Sequence, residues 1–339
     1  MKNSTICVLP WNHLSINSMG YVRVCCNSSD PNLFKFDPNK DFLNHSELVE
    51  IRSQMLQGKW PQKCDRCRNQ EYIGVNSFRQ MHNSMFSETV KEIKDDNFLK
   101  LEYLNLDLGT KCNAACIMCG DHSSSLWAKI NNNNTYFPPT IPNVSYENMK
   151  KMYIIGGEPL IIDEFWDLIE NIENQYAKNI EMNLNTNLSV IPKKINLLNK
   201  FKKVKINLSI DGTKEDFNFV RWPLTFSKIK KNYLIIKDFE NFDIEIHSVL
   251  MNINLFNFHK LYDEFPNEKI FINLCDNPED FQVSKSDIPK AEEYLSFLEN
   301  NKYVELYNLL KNVKFVGEQQ KTKELIKNII TKRKKYALL

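Results

Sequence analysis

From about residue 98 onward the chain alternates β-rich apolar runs with helical stretches, and this pattern restricts the fold more than any other feature. The runs are "KLEYLNLDL", "MKKMYIIGG", "NIEMNLNTN", "VKINLSIDG", "FDIEIHSVLMN" and "KIFINLCDN". Each is rich in Leu, Ile, Val, Tyr or Phe, the residues that suit a pleated surface. Between them, "DEFWDLIENIENQ", "PKKINLLNKF", "TFSKIKKNYLIIKDF" and "NFHKLYDEF" place apolar residues three and four apart, the helical period. Strands that alternate with helices in this way lie parallel. Six such units either close most of a (β/α) barrel or stay open, and in both arrangements ligands bind beyond the carboxyl ends of the strands.

Polar and cysteine signals fall at those strand ends. Cys112, Cys116 and Cys119 follow the first run, and Gly156, Gly157 and Glu158 follow the second. Asn185, Thr186 and Asn187 end the third. Ser209 and Asp211 end the fourth, with Arg221 in the next connection, and His247, Ser248 and Asn252 lie along or after the fifth.

The nine cysteines bear on compartment and chemistry together. No apolar run approaches the ~18 residues that cross a bilayer, and "MKNSTICVLPWNHL" lacks a signal peptide's long apolar stretch, so the expectation is a cytoplasmic protein. There thiols stay reduced, and an odd number of clustered cysteines points to metal rather than to disulfides. Charge identifies no partner: 44 Lys and Arg nearly balance 42 Asp and Glu, which provides no field for nucleic acid or an anionic membrane. With 339 residues and 42% hydrophobic content, the chain can bury one large core or two smaller ones.

Cys-x3-Cys-x2-Cys on a tight loop can aim three sulfurs at one point, as iron–sulfur clusters and zinc require. Three thiolates leave one position open. His122, three residues beyond Cys119, could fill it as a Cys3His zinc site, and the spacing alone leaves both readings standing.

Cys112, Cys116 and Cys119 after a first strand, together with "GGEP" at 156–159 after a second, resemble the radical S-adenosylmethionine superfamily. That resemblance implies that the three cysteines hold a [4Fe-4S] cluster whose open iron is chelated by S-adenosylmethionine. It further implies reductive cleavage to a 5′-deoxyadenosyl radical, hydrogen abstraction from substrate, and a flavodoxin- or ferredoxin-type electron donor. The fold expected is α/β, a partial (β/α)6 TIM-type barrel with a small N-terminal Cys-rich β-hairpin and helix module and a helical C-terminal extension. The glycines would let backbone approach the methionine moiety, and Glu158 would accept from its ammonium group. Met118 occupies the position the family places against adenine. Asn187, Ser209, Asp211 and Arg221 resemble its ribose and carboxylate contacts, with Arg221 able to fork onto a carboxylate.

A second metal question arises at the N-terminus. "HLSI" and "YVRV" alternate around a Ser-Met-Gly turn and read as a hairpin, and "CDRC" follows later. Cys7, Gly20 and Cys25, with Cys64 and Cys67, resemble the auxiliary-cluster modules of the SPASM and twitch type, which usually follow the barrel rather than precede it. This implies a second iron–sulfur cluster, of the [4Fe-4S] kind, on Cys7, Cys25, Cys64 and Cys67. Two separated cysteine pairs also suit structural zinc. Cys25 and Cys26 compete for one place, since adjacent strand residues point to opposite faces, and the spacing from Gly20 favours Cys25.

The expected boundaries are 1–97 for this module, 98–280 for the barrel and 281–339 for the helical extension. Cys275 reads as a buried inert thiol, "NNNNTYFPPTIPN" as a loop, and the closing Lys/Arg cluster as a solvated helix end. Two substrate classes fit: a peptide or protein side chain, or a small molecule such as a sugar or amino acid. A metal-stabilised binding protein, with Fe–S or Zn in a purely structural role, is the alternative outside catalysis.

Overall fold

The computed structural model describes residues 5–95, 98–283, 288–311 and 319–337. The chain is α/β, built on parallel strands with helices between them, as the alternation predicts. It divides into two compact units. The first takes in residues 1–109, 137–184 and 196–204, and the second takes in 110–136, 185–195 and 205–339.

The first unit carries β1 (His13–Ile16), β2 (Tyr21–Arg23), β3 (Phe34–Lys35), β4 (Tyr103–Asp107), β5 (Lys151–Ile155) and most of β6 (Glu181–Thr186), in the order β3-β2-β1-β4-β5-β6. β1 and β2 form the expected hairpin, turning at Gly20 with φ +76°. β1 then pairs parallel with β4, so the N-terminal segment continues the sheet. Register explains the alternation in the sequence. Leu104, Met152 and Met182 stand in one row, and Leu106, Ile154 and Leu184 in the next, all at most 1% exposed. Burying each such side chain contributes roughly 1.5–3 kcal/mol. The intervening positions form a polar row in which Arg23, Ser15, Asn105, Tyr153 and Asn183 are successive cross-strand neighbours.

The N-terminal segment has its own apolar cluster. Val8, Leu9 and Trp11 pack with Leu48, Ile51 and Met55 of the helix Ser46–Leu56. That helix stops where Gly58 takes φ +74° and Pro61 follows, and a short turn at Gln62–Cys64 leads into the helix Asp65–Tyr72. Where this segment meets β4, the fully buried Glu102 accepts from Asn12 Nδ2 at 3.0 Å and Thr89 Oγ1 at 2.6 Å and pairs with Lys150 at 2.6 Å. Burial works against its charge, but Lys150, Thr89 and Asn12 prevail and hold the carboxyl below its ordinary range.

The second unit carries the end of β7 (Lys203–Ser209), β8 (Phe242–Leu250) and β9 (Lys269–Leu274), in the order β7-β8-β9, with β8 parallel to β9. The helices Lys214–Val220 and Phe226–Ile236 lie between β7 and β8 in sequence. The C-terminal region is helical over Ile288–Glu299, Val304–Leu310 and Gln319–Ala337. The last two residues of the expected helix "YVELYNLLKNV" lie outside the described residues. Among the described residues no helix is long and apolar enough to cross a membrane.

Candidate functional site

In the second unit the loop bearing Cys112, Cys116 and Cys119 is fixed mainly by its backbone. Ala115 N–H donates to Trp222 O at 2.7 Å and Ile117 N–H to Val220 O at 2.9 Å, so the loop runs as a ladder against residues 220–222. Ser124 Oγ donates to Ala114 O at 2.6 Å, Ser125 Oγ bonds both the carbonyl and the amide of Cys112 at 3.1 Å, and Trp127 Nε1 donates to Cys116 O at 2.7 Å. Such bonding leaves few buried backbone groups orphaned in a segment without regular structure. The "DHSSSLW" that follows the cysteines therefore serves to hold them, with Ser124 capping the helix Ser125–Ile130 by accepting from Trp127 N–H.

The Cys116 and Cys119 thiols are in hydrogen-bond contact. The bond from Cys119, helped by Arg221 and opposed by burial, brings Cys116 down to about 7, while the same bond and burial push Cys119 up. Cys112 is close enough to act on Cys119 electrostatically. Among the described residues no three His, Cys, Asp or Glu side chains close on a centre fit for a single metal ion. Three thiols on a pinned loop, two in contact and cations beside them, form a donor set that fits a cluster, which takes each thiolate on a different iron. His122, the fourth ligand of the zinc alternative, is exposed.

Arg221 places Nη1 3.9 Å from Cys116 Sγ. Burial opposes its charge, but Asp211 and then Cys116 hold it firmly protonated. Asp211 is fully buried and committed: it pairs with Arg221 Nε at 2.7 Å and accepts from Val249 N–H at 2.7 Å, while its carbonyl accepts from Asn254 Nδ2 at 2.7 Å. Asn187 donates to Asn113 Oδ1 at 3.1 Å and accepts from Ser189 N–H, and Asn113 in turn donates to Ser189 Oγ at 2.8 Å. The cysteine loop and the end of β6 are thereby tied through Asn113, which sequence reasoning passed over because an Asn between cysteines carries no signal of its own. Met118 and Ser209 are half-buried.

Gly156, Gly157 and Glu158 lie in the first unit, at the carboxyl end of β5. Gly156 has φ +136°, and a Cβ on it would stand 2.8 Å from Leu108 N. Gly157 N–H donates to Gly109 O at 2.9 Å, so this turn clasps the backbone just after β4. Gly156 thus answers a close approach by residues 108–109. Glu158 is buried, and its side chain accepts from Leu160 N–H at 3.1 Å.

The second set of cysteines is gathered in the first unit. Burial, reinforced by Cys64 and Cys67, pushes the Cys7 thiol up, and Cys25 rises through burial and the nearness of Cys7 and Cys26. Cys64 is pushed up to about 12 by burial and by Cys25 and Cys67. These mutual influences place Cys7, Cys25, Cys64 and Cys67 together. Cys26 is exposed instead, and lines a cavity of about 270 Å³ with Tyr103, Tyr153, His82, Met81 and Met85. Arg79 holds the segment carrying Cys7 by donating to Ile6 O at 2.7 Å, and it is itself fixed by a two-pronged bond to Glu71 at 2.6 and 2.8 Å. Asn83 completes the hold with bonds to Ile6 O and Val8 N–H. Asn27 Nδ2 reaches Cys67 Sγ at 3.4 Å. Cys275 is buried and pushed up to about 11, mainly by burial.

Residues 106–263 match the family model described as the Radical SAM superfamily. That stretch is a Radical SAM domain, the enzymatic part of this chain, and S-adenosylmethionine and a [4Fe-4S] cluster are the cofactors such a domain uses. Among curated proteins it is 30% identical over 201 residues to the GTP 3′,8-cyclase of Clostridium perfringens strain 13, across 56% of this chain and 57% of the relative. It is 28% identical over 203 residues to the GTP 3′,8-cyclase of Campylobacter lari, across 59% and 56%. The chain therefore spans little more than half the length of these relatives. Among solved structures it is similar to native anSMEcpe with bound AdoMet, with a TM-score of 0.46 and 20% identity over 64% of this chain and 63% of that one. Similarity to Streptococcus suis SuiB bound to S-adenosylmethionine has a TM-score of 0.43 at 15% identity, over 79% and 62%.

Proposed function

We propose that Cys112, Cys116 and Cys119 hold the catalytic [4Fe-4S] cluster and that the enzyme abstracts hydrogen from its substrate after reductive cleavage of S-adenosylmethionine. The observation that supports this best is the thiol pair Cys116–Cys119 on a backbone-pinned loop with the Arg221–Asp211 pair beside it. The bound cofactors supply the radical chemistry. The protein's share is to hold three thiolates, to keep a guanidinium at their edge, and to present polar groups to the nucleoside and amino-acid ends of the cofactor. Met118, Asn187, Ser209, Asp211 and Arg221, all in the unit that carries the cysteine loop, are the residues assigned to that contact.

Cys7, Cys25, Cys64 and Cys67 hold a second, auxiliary iron–sulfur cluster in a twitch-like N-terminal module, with Cys26 left out. Their burial beside one another supports this assignment, and the cluster's role is to take an electron from substrate or to position it. The substrate is a polar small molecule or a peptide side chain. The named activity of the curated relatives favours a small molecule. A flavodoxin- or ferredoxin-type protein supplies the electron.

The test is release of 5′-deoxyadenosine, read by mass spectrometry, from protein reconstituted without oxygen, reduced with dithionite and given S-adenosylmethionine. Cys116→Ala is expected to abolish it. Cys64→Ala is expected to halve the iron content, spare cofactor cleavage and impair substrate turnover. Equal release from wild type and Cys116→Ala would sink the assignment of the catalytic cluster, and full iron in Cys64→Ala would sink that of the auxiliary one.

A further inference from the structure

Arg333 lies on the last helix, Gln319–Ala337, 218 positions from the loop it reaches. Its Nη2 donates to Ala115 O at 2.6 Å and its Nη1 to Phe219 O at 2.7 Å. Ala115 O lies on one side of the ladder formed by residues 115–117 and 220–222, and Phe219 O directly precedes the other, so one guanidinium staples both. The group is 5% exposed and boxed by the rings of Trp127, Phe219 and Trp222, whose centroids lie 5.6–5.7 Å from Cζ. Nε has no partner, and among the described residues no carboxylate is paired with it.

An arginine buried without a counter-ion is expensive. Burial accordingly pulls Arg333 down to about 10, and the group that resists this is Cys116. Arg221 also faces Cys116, but Asp211 offsets its charge at 2.7 Å. Unlike Arg221, Arg333 thus carries a charge that no carboxylate among the described residues balances. Three thiolates on a [4Fe-4S] core leave a net negative charge that grows by one on reduction, and a fixed nearby cation favours the reduced state.

We propose that Arg333 is a positioning residue for the cysteine loop and the resident counter-charge of the cluster it holds, so that the C-terminal helix helps set how readily that cluster is reduced. The inference rests on the assignment of Cys112, Cys116 and Cys119 as its ligands. Two substitutions separate the two parts: Arg333→Lys keeps the charge and loses the fork, whereas Arg333→Met loses both.

The experiment is an EPR-monitored redox titration of the S-adenosylmethionine-responsive signal in anaerobically reconstituted wild-type, Arg333→Lys and Arg333→Met protein, with iron content measured on each. It is paired with hydrogen exchange of residues 112–119 in the cluster-free protein. Exchange is expected to quicken in both variants. The midpoint potential is expected to stay near wild type in Arg333→Lys and to shift to more negative values in Arg333→Met. Loss of iron in Arg333→Met alone also supports a counter-charge. An unchanged potential in fully loaded Arg333→Met overturns the proposal, as does unchanged loop exchange in both variants. Wild-type protein that forms no S-adenosylmethionine-responsive cluster overturns the functional reading beneath it, before any variant is compared.

Discussion

Asp107, the last residue of β4, sits directly before the segment that leads to the cysteine loop, and its carboxyl is pushed from 3.8 to about 6. Burial is the main cause, offset in part by Arg23 and by the amides of Gly109 and Ser18. A carboxyl whose pKa is raised on folding favours the fold in its neutral form. Its contribution is fully present below about pH 4 and is lost as pH rises to the folded value near 6. A shift of about two units corresponds to roughly 3 kcal/mol at 1.36 kcal/mol per unit, an upper figure for a side chain that keeps some contact with solvent. Asp107→Asn retains an acceptor for the Gly109 N–H, which lies 3.3 Å from Oδ1, and cannot ionise. The variant should match wild type at pH 4 and exceed it by roughly 1–3 kcal/mol at pH 7. Urea unfolding followed by circular dichroism across that range measures the difference, and subtraction of the two proteins cancels all other titrating groups. A difference that stays flat with pH, or a variant less stable than wild type at pH 7, would refute the reasoning.

Two further outcomes follow from the same region. Gly109→Ala is expected to cost about 3 kcal/mol or more, because φ is +77° and the new Cβ would lie 2.0 Å from Phe137 O; a thermal melt within a degree of wild type would contradict it. Glu102→Gln removes a fully buried charge that pairs with the half-exposed Lys150, with an expected loss of about 1–3 kcal/mol in denaturant titration. Unaltered stability would mean that the Asn12 and Thr89 bonds alone hold that junction.

The sequence made the six strands legible because apolar and polar positions alternate at the period of a pleat, and β4 to β9 fall within the six runs save for Lys203, which opens β7 one residue early. That Cys112, Cys116 and Cys119 share one short loop was equally plain, since they lie within eight positions of one another. What escaped was long-range. Nothing in "HLSI" says that β1 will pair parallel with a strand ninety residues on, because backbone pairing leaves no mark on side-chain choice. The final Lys/Arg cluster reads as a solvated helix end, and most of it fits that description; Arg333 does not, for its neighbours Trp127, Phe219 and Trp222 come from distant parts of the chain. Asp211 and Arg221 were picked out as separate contacts for a ligand, whereas the fold first binds them to each other. At Gly156 the approach of residues 108–109 by itself calls for glycine, and the sequence gives no sign of that approach.

The pairing of β1 with β4 also covers an edge of the sheet. Without the hairpin, β4 would offer a bare row of amides and carbonyls to any passing chain. With it, the outermost strand of this unit is β3, two residues long and ending in Lys35, a poor template for addition. Removing the N-terminal segment would therefore uncover a sticky edge, and a truncated protein would be expected to precipitate even where its remaining core could still fold.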